Sequence, residues 1–134
     1  MNFSKTTGYA LNVLSYMSGH SEDKFSVTEL HEKLSIPYSY LRQVMGNLSK
    51  SGFIKGSTGR TGGFELVLSP EKIYLADIVD ATEGLDGLNS CIIGMDVCPF
   101  DNKCAMHSIW EDIRMDILNV LKTTTLSGLM KNKL

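Results

Sequence analysis

The sequence predicts a mainly α fold with one small β-hairpin and a long C-terminal helix. Three observations predict it. Two short helical stretches meet at a tight turn over Leu34–Pro37. Alternating apolar residues on either side of a glycine-rich loop follow at once. Met106, Trp110, Ile113, Ile117 and Val120 then recur at spacings of 4, 3, 4 and 3.

Over residues 3 to 18, Ala10, Val13, Leu14 and Met17 stand at helical spacing, which predicts an amphipathic helix. The polar run "HSEDKF" breaks it. Ser26 and Glu29 then form a capping-box pattern that opens a short helix with Val27, Leu30 and Leu34 on one face. Pro37 suits the first turn of the next helix, where a missing N–H costs nothing. Leu41, Val44, Met45 and Leu48 make its buried stripe, and Gly52 ends it. The pair reads as a helix-turn-helix. Phe53 and Ile54 begin one strand, and Phe64, Leu66 and Leu68 alternate on another, with "STGRTGG" as the loop between them. A hairpin directly after a helix-turn-helix is a wing. Another helix is expected from Leu75 to Glu83, and a long one from about Lys103 to about Thr124. The 4-3-4-3 stripe on that last helix is the seam of a helix pairing with another helix. A dimerisation helix is therefore expected, with core packing inside one chain as the alternative. Three segments follow: a winged helix-turn-helix domain over 1–84, a cysteine-rich loop over 85–104, and a dimerisation helix with the C-terminal segment over 105–134.

The chain has 134 residues, 43% of them apolar, which suffices for one modest core. It contains no apolar run long enough to span a membrane and no signal-peptide pattern, so a cytoplasmic location is expected. The net charge of −2 argues against a nucleic-acid partner, but its distribution argues for one. No acid stands between Glu32 and Glu65, whereas Lys33, Arg42, Lys50, Lys55 and Arg60 all do. In a helix-turn-helix, the amino-terminal residues of the second helix meet the base edges in the major groove of double-stranded DNA. With the apolar stripe inward, Ser39, Tyr40, Arg42, Gln43 and Asn47 are expected to face out. Arg42 suits guanine and Gln43 suits adenine, while Ser39 and Tyr40 suit phosphates. At the wing tip Thr58 and Arg60 stand among glycines, and an arginine there suits a narrow minor groove. Nothing in the sequence forms a Ser/His/Asp set, a phosphate loop or a paired-carboxylate motif, so no enzyme is expected.

All three cysteines fall within "CIIGMDVCPFDNKC", and His107 follows, giving C-x6-C-x5-C-x2-H over Cys91, Cys98, Cys104 and His107. An odd number of thiols argues against a disulfide framework and for metal or redox chemistry. Thiolates hold iron–sulfur clusters. Gly94 and Pro99 let the loop bend, and Cys104 and His107 share a helix face. Zinc suits the same donor set, although its usual paired knuckles are missing. Three unligated reduced cysteines are the remaining alternative, and a small electron carrier would have no use for a wing.

The segments "YALNVLSYM", "IPYSYLRQVMGNL", "GRTGGF" and "LADIVDATEG", followed by the cysteine loop, resemble the Rrf family of bacterial winged-helix repressors over residues 1 to about 128. The resemblance implies a homodimer crossed through the long C-terminal helix, a palindromic operator and an iron–sulfur cluster. That cluster would sense nitric oxide, oxidants or cluster supply. The C-x2-H ending at Cys104 and His107 matches members with a 2Fe–2S cluster, although the first gap here is six residues rather than their five. A 4Fe–4S cluster is the alternative. Members that bind one complete it with an acid of the partner's first helix, where this chain has Gly8 in "KTTGYAL". His107 is therefore the expected fourth ligand, with water or a small molecule as the alternative.

Overall fold

A computed structural model describes residues 2–20, 23–95 and 97–131. Met1, Ser21 and Glu22 of the first expected segment, Asp96 of the second and residues 132–134 of the third lie outside that set. The elements run α1 (Lys5–Ser18), α2 (Val27–Leu34), α3 (Tyr38–Lys50), β1 (Ile54–Ser57), β2 (Gly63–Leu66), α4 (Leu75–Thr82), α5 (Ala105–Thr123) and α6 (Leu126–Lys131).

Ser4 caps α1, its hydroxyl accepting the Thr7 N–H at 3.3 Å. Ala10, Val13, Leu14 and Met17 meet on one face and are fully buried, as their spacing predicts. Ser26 caps α2 by accepting the Glu29 N–H at 3.0 Å. The turn after α2 is left-handed at Ser35, with φ 56°. The His31 ring spans this turn, Nδ1–H donating to the Ile36 carbonyl at 2.5 Å. On α3 the predicted stripe of Leu41, Val44, Met45 and Leu48 is buried, and Gly52 leaves the helix at φ 83°.

β1 and β2 pair antiparallel from Ile54 opposite Leu66 to Ser57 opposite Gly63. Ser57 and Gly63 therefore belong to the ladder, which leaves Thr58–Gly62 as the turn, two residues shorter than the expected loop. Phe25, between α1 and α2, adds a bridge to the outer side of β2. Its N–H donates to the Phe64 carbonyl at 2.8 Å, and the Phe64 N–H donates to its carbonyl at 2.7 Å. Gly63 permits this approach, since a Cβ there would stand 3.0 Å from the Phe25 oxygen.

One core joins α1, α2, α3 and the hairpin to Ile73, Ile78 and Leu126. Ala76, Leu88 and Leu121 form a second, smaller cluster that holds α5 against α4. α6 was not expected from the sequence. The Leu126 N–H donates to the Ile73 carbonyl at 2.7 Å, and the Leu75 N–H donates to the Thr124 carbonyl at 3.0 Å, so the chain after α5 is tied back beside α4.

The expected stripe on α5 is divided. Trp110 turns inward, 7% exposed, and its indole N–H donates to the Ser90 carbonyl at 2.7 Å. Ile117 is half-buried against the second cluster. Met106, Ile113 and Val120 remain exposed, and Ile109 joins them. The reason is the alternating spacing: at about 100° per residue, Trp110 and Ile117 fall on one edge of the stripe and Met106, Ile113 and Val120 on the other, and only the first edge turns inward. Among the described residues, no helix is long and apolar enough to cross a membrane.

Candidate nucleic-acid interface and cysteine cavity

The helix-turn-helix and hairpin present Ser39, Arg42 and Gln43 on the exposed side of α3, and Thr58 and Arg60 at the exposed hairpin turn. The buried stripe of α3 decides this placement, because the residues that alternate with it must face water. Tyr40 and Asn47 depart from the expectation. Asn47 is half-buried. Tyr40 is half-buried too, with its hydroxyl 2.6 Å from Thr6 Oγ1 and its ring edge-on to Tyr9 at 5.1 Å. A hydroxyl held by α1 is no longer freely available for a phosphate. Lys24, whose Nζ donates to Ser57 Oγ at 3.4 Å, and Lys55, 3.5 Å from Glu65, add cations beside the hairpin.

A cavity of about 540 Å³ lies between the loop and α5, lined by Cys91, Cys98, His107, Trp110, Glu111 and Arg114 among others. The loop reaches it through tight turns. The Gly94 N–H donates to the Cys91 carbonyl at 2.9 Å, with Gly94 at φ 89°. After Cys98 the backbone is left-handed at Asp101 and Asn102, residue types that tolerate this conformation. That turn aims the Asn102 N–H at Cys98 Sγ, 3.3 Å away. Cys104 caps α5, and its carbonyl accepts the His107 N–H at 3.1 Å. All three cysteines are free thiols and half-buried.

His107, Glu111 and Arg114 share the α5 face that lines the cavity. Glu111 stands 3.7 Å from His107 Nε2 and 3.8 Å from Arg114 Nη2. Arg114 Nε is buried with no hydrogen-bond partner among the described residues. Sequence reasoning singled out His107 but missed its two neighbours. Their positions four and seven residues further on were the signal available.

Thiolates, an imidazole and a backbone N–H directed at sulfur are the chemistry an iron–sulfur cluster takes. Cys91, Cys98 and His107 line one cavity, and Cys104 stands one turn before His107. Among the described residues, however, no three of the His, Cys, Asp and Glu side chains are gathered closely enough to hold a metal ion. Gly8 is exposed on α1, with open space where a side chain would stand.

The profile of the Rrf2 family, described as an iron-dependent transcriptional regulator, matches residues 3–132. The chain belongs to the Rrf2 family. It is 27% identical over 135 residues to the regulator NsrR of Bacillus subtilis, covering 99% of this chain and 92% of that one. It is 26% identical over 126 residues to the regulator IscR of Xenorhabdus nematophila, covering 93% and 76%. CymR, the global cysteine regulator of B. subtilis, has the same fold, with a TM-score of 0.78 at 24% identity over 100% and 99% of the two chains. This Rrf2 chain is thus a transcriptional regulator rather than an enzyme, and the family binds DNA.

Proposed function

We propose that this chain is a homodimeric repressor that binds a palindromic operator and is governed by an iron–sulfur cluster held by Cys91, Cys98, Cys104 and His107. The observation that carries the reading is the cysteine loop. Every thiol of the chain lies within it, and Cys91, Cys98 and His107 line one cavity. A cluster, when bound, would supply a redox- and nitric-oxide-reactive centre at the amino end of α5. The protein's part is to hold it. The Asn102 N–H already meets Cys98 Sγ, and hydrogen bonds to ligand sulfur are a means of setting cluster potential. Glu111 stands 3.7 Å from His107 Nε2, where a small movement would let it orient the ring, as carboxylates do behind metal-bound histidines.

Operator contacts fall to Arg42 and Gln43 at the base edges, Ser39 at phosphate, and Thr58 and Arg60 from the wing. Tyr40 belongs to their support rather than to the contact itself. The exposed stripe of Met106, Ile109, Ile113 and Val120 supports a dimer through α5, since contiguous apolar surface on a long helix marks an interface.

Anaerobic purification with an absorption spectrum and iron and sulfide analysis tests the cluster. A coloured protein that loses its visible bands in each of Cys91→Ala, Cys98→Ala and Cys104→Ala is the expected result. His107→Ala should leave a labile cluster with a shifted spectrum. Colourless, iron-free protein would leave a cluster-free regulator of the same fold, and a zinc content near one per chain would assign the loop to zinc.

A further inference from the structure

Glu83 belongs neither to the cysteine cavity nor to the DNA-facing residues, yet it joins the elements that carry them. It ends α4, and Gly84 (φ 79°) opens the segment leading to the cysteines directly after it. Its Oε2 accepts the Ser4 backbone N–H at 2.7 Å and the Thr7 hydroxyl at 2.5 Å. The Thr7 hydroxyl also lies 2.6 Å from Thr82 Oγ1. Thr7 is fully buried, and its hydroxyl also lies 3.3 Å from Ser4 Oγ. The amino end of α1 is thus held by the carboxyl end of α4. Thr6, the neighbouring residue of α1, bonds the hydroxyl of Tyr40, two residues before Arg42 on α3.

We propose that Glu83 is a positioning residue for DNA binding, which couples the cysteine segment to the recognition helix through the amino end of α1. The inference rests on the proposed function. Its physical basis is the strength and short reach of each link. Hydrogen bonds to a carboxylate are among the stronger ones, and the amino end of a helix favours a negative charge. Backbone movement at Gly84 reaches Glu83 with no residue between. Ser4 and Thr7 then follow the carboxylate or lose it, and either outcome changes where Thr6 holds Tyr40. A contiguous set of contacts with two arrangements that both sites can bias is one route by which energetic coupling travels between sites.

The test uses the full chain and a DNA duplex that the wild-type protein enriches from a random-sequence pool. Affinity is measured by fluorescence anisotropy in two states. One is protein purified without oxygen. The other is the same protein after its cysteines are capped with N-ethylmaleimide in the presence of a chelator. Wild type should show a ratio of dissociation constants of about fivefold or more, the lower end of typical coupling. In Glu83→Gln that ratio should fall toward one. Tyr40→Phe and Thr6→Val break the far link while leaving the α1 cap intact, and should do the same even if Glu83→Gln folds poorly. Folding is checked by circular dichroism. A residue that only caps α1 would lower stability and leave the ratio untouched. Variants that all keep the wild-type ratio overturn the coupling and leave cysteine sensing standing. A wild-type ratio of one overturns cysteine sensing, and the coupling with it.

Discussion

Tyr40 and Arg42 stand two residues apart on α3 and differ in what their side chains can reach. Arg42 is exposed, and Tyr40 is tied to Thr6. Arg42→Ala should weaken binding to the selected duplex by about 1–3 kcal/mol and relax sequence preference at one position. Equal affinity for selected and random duplexes before and after the change would remove Arg42 from the base edges. Glu83 makes a prediction about pH. Desolvation works against its charge even at this exposed position, but hydrogen bonds from the Thr7 and Ser4 side chains and the Ser4 backbone outweigh it and hold the carboxyl below its usual range. A carboxyl lowered in the folded state contributes stability above its unfolded value of about 4.3, and that contribution fades as pH falls through the folded value. Glu83→Gln should therefore melt below wild type at pH 7, with the gap closing in acid. A melting difference that stays constant from pH 7 to pH 3 would show that the carboxylate charge plays no part.

At the scale of elements, the helix-turn-helix is set by local chemistry. The Ser26 hydroxyl meets an N–H of α2 that no carbonyl inside the helix can reach, so Ser26→Ala should cost about 1 kcal/mol. Chemical denaturation reads this directly, and an unchanged midpoint would mean that water replaces the cap without loss. The turn itself is less comfortable for its sequence. Ser35 holds a left-handed φ of 56°, a region glycine enters without the steric conflict a Cβ brings. Ser35→Gly is accordingly expected to leave stability unchanged or slightly raised. α5 shows a different balance. Trp110 and Leu121 anchor one side of it, while Ile109, Ile113 and Val120 are 50%, 43% and 56% exposed on the other.

That outer face is a property of the whole molecule, since none of the described elements of the same chain covers it. Ile109→Asp with Ile113→Asp would place two charges in the proposed seam, at a cost of several kcal/mol if they stay ionised and unpaired. Sedimentation should then show monomer, with the circular dichroism of α5 retained. A dimer that survives both changes would move the interface away from α5.

The order of α1 to α5, the hairpin, the buried stripes of α1 and α3 and the capping of α2 were determined by the sequence alone. They depend on residues within one or two turns of each other, so periodicity and cap chemistry suffice to define them. The concentration of thiols and the exposed basic stretch were legible for the same reason. The tertiary structure decided which of two faces of α5 turns inward, because Trp110 finds the Ser90 carbonyl only once the loop has folded back. It also moved Tyr40 from the expected DNA surface to the side of α1, and brought Glu83 to Ser4 across 79 residues of chain. No local pattern carries such contacts. A lone glutamate at a helix end and a tyrosine near a helix start look like ordinary surface residues until the core sets α1 between them.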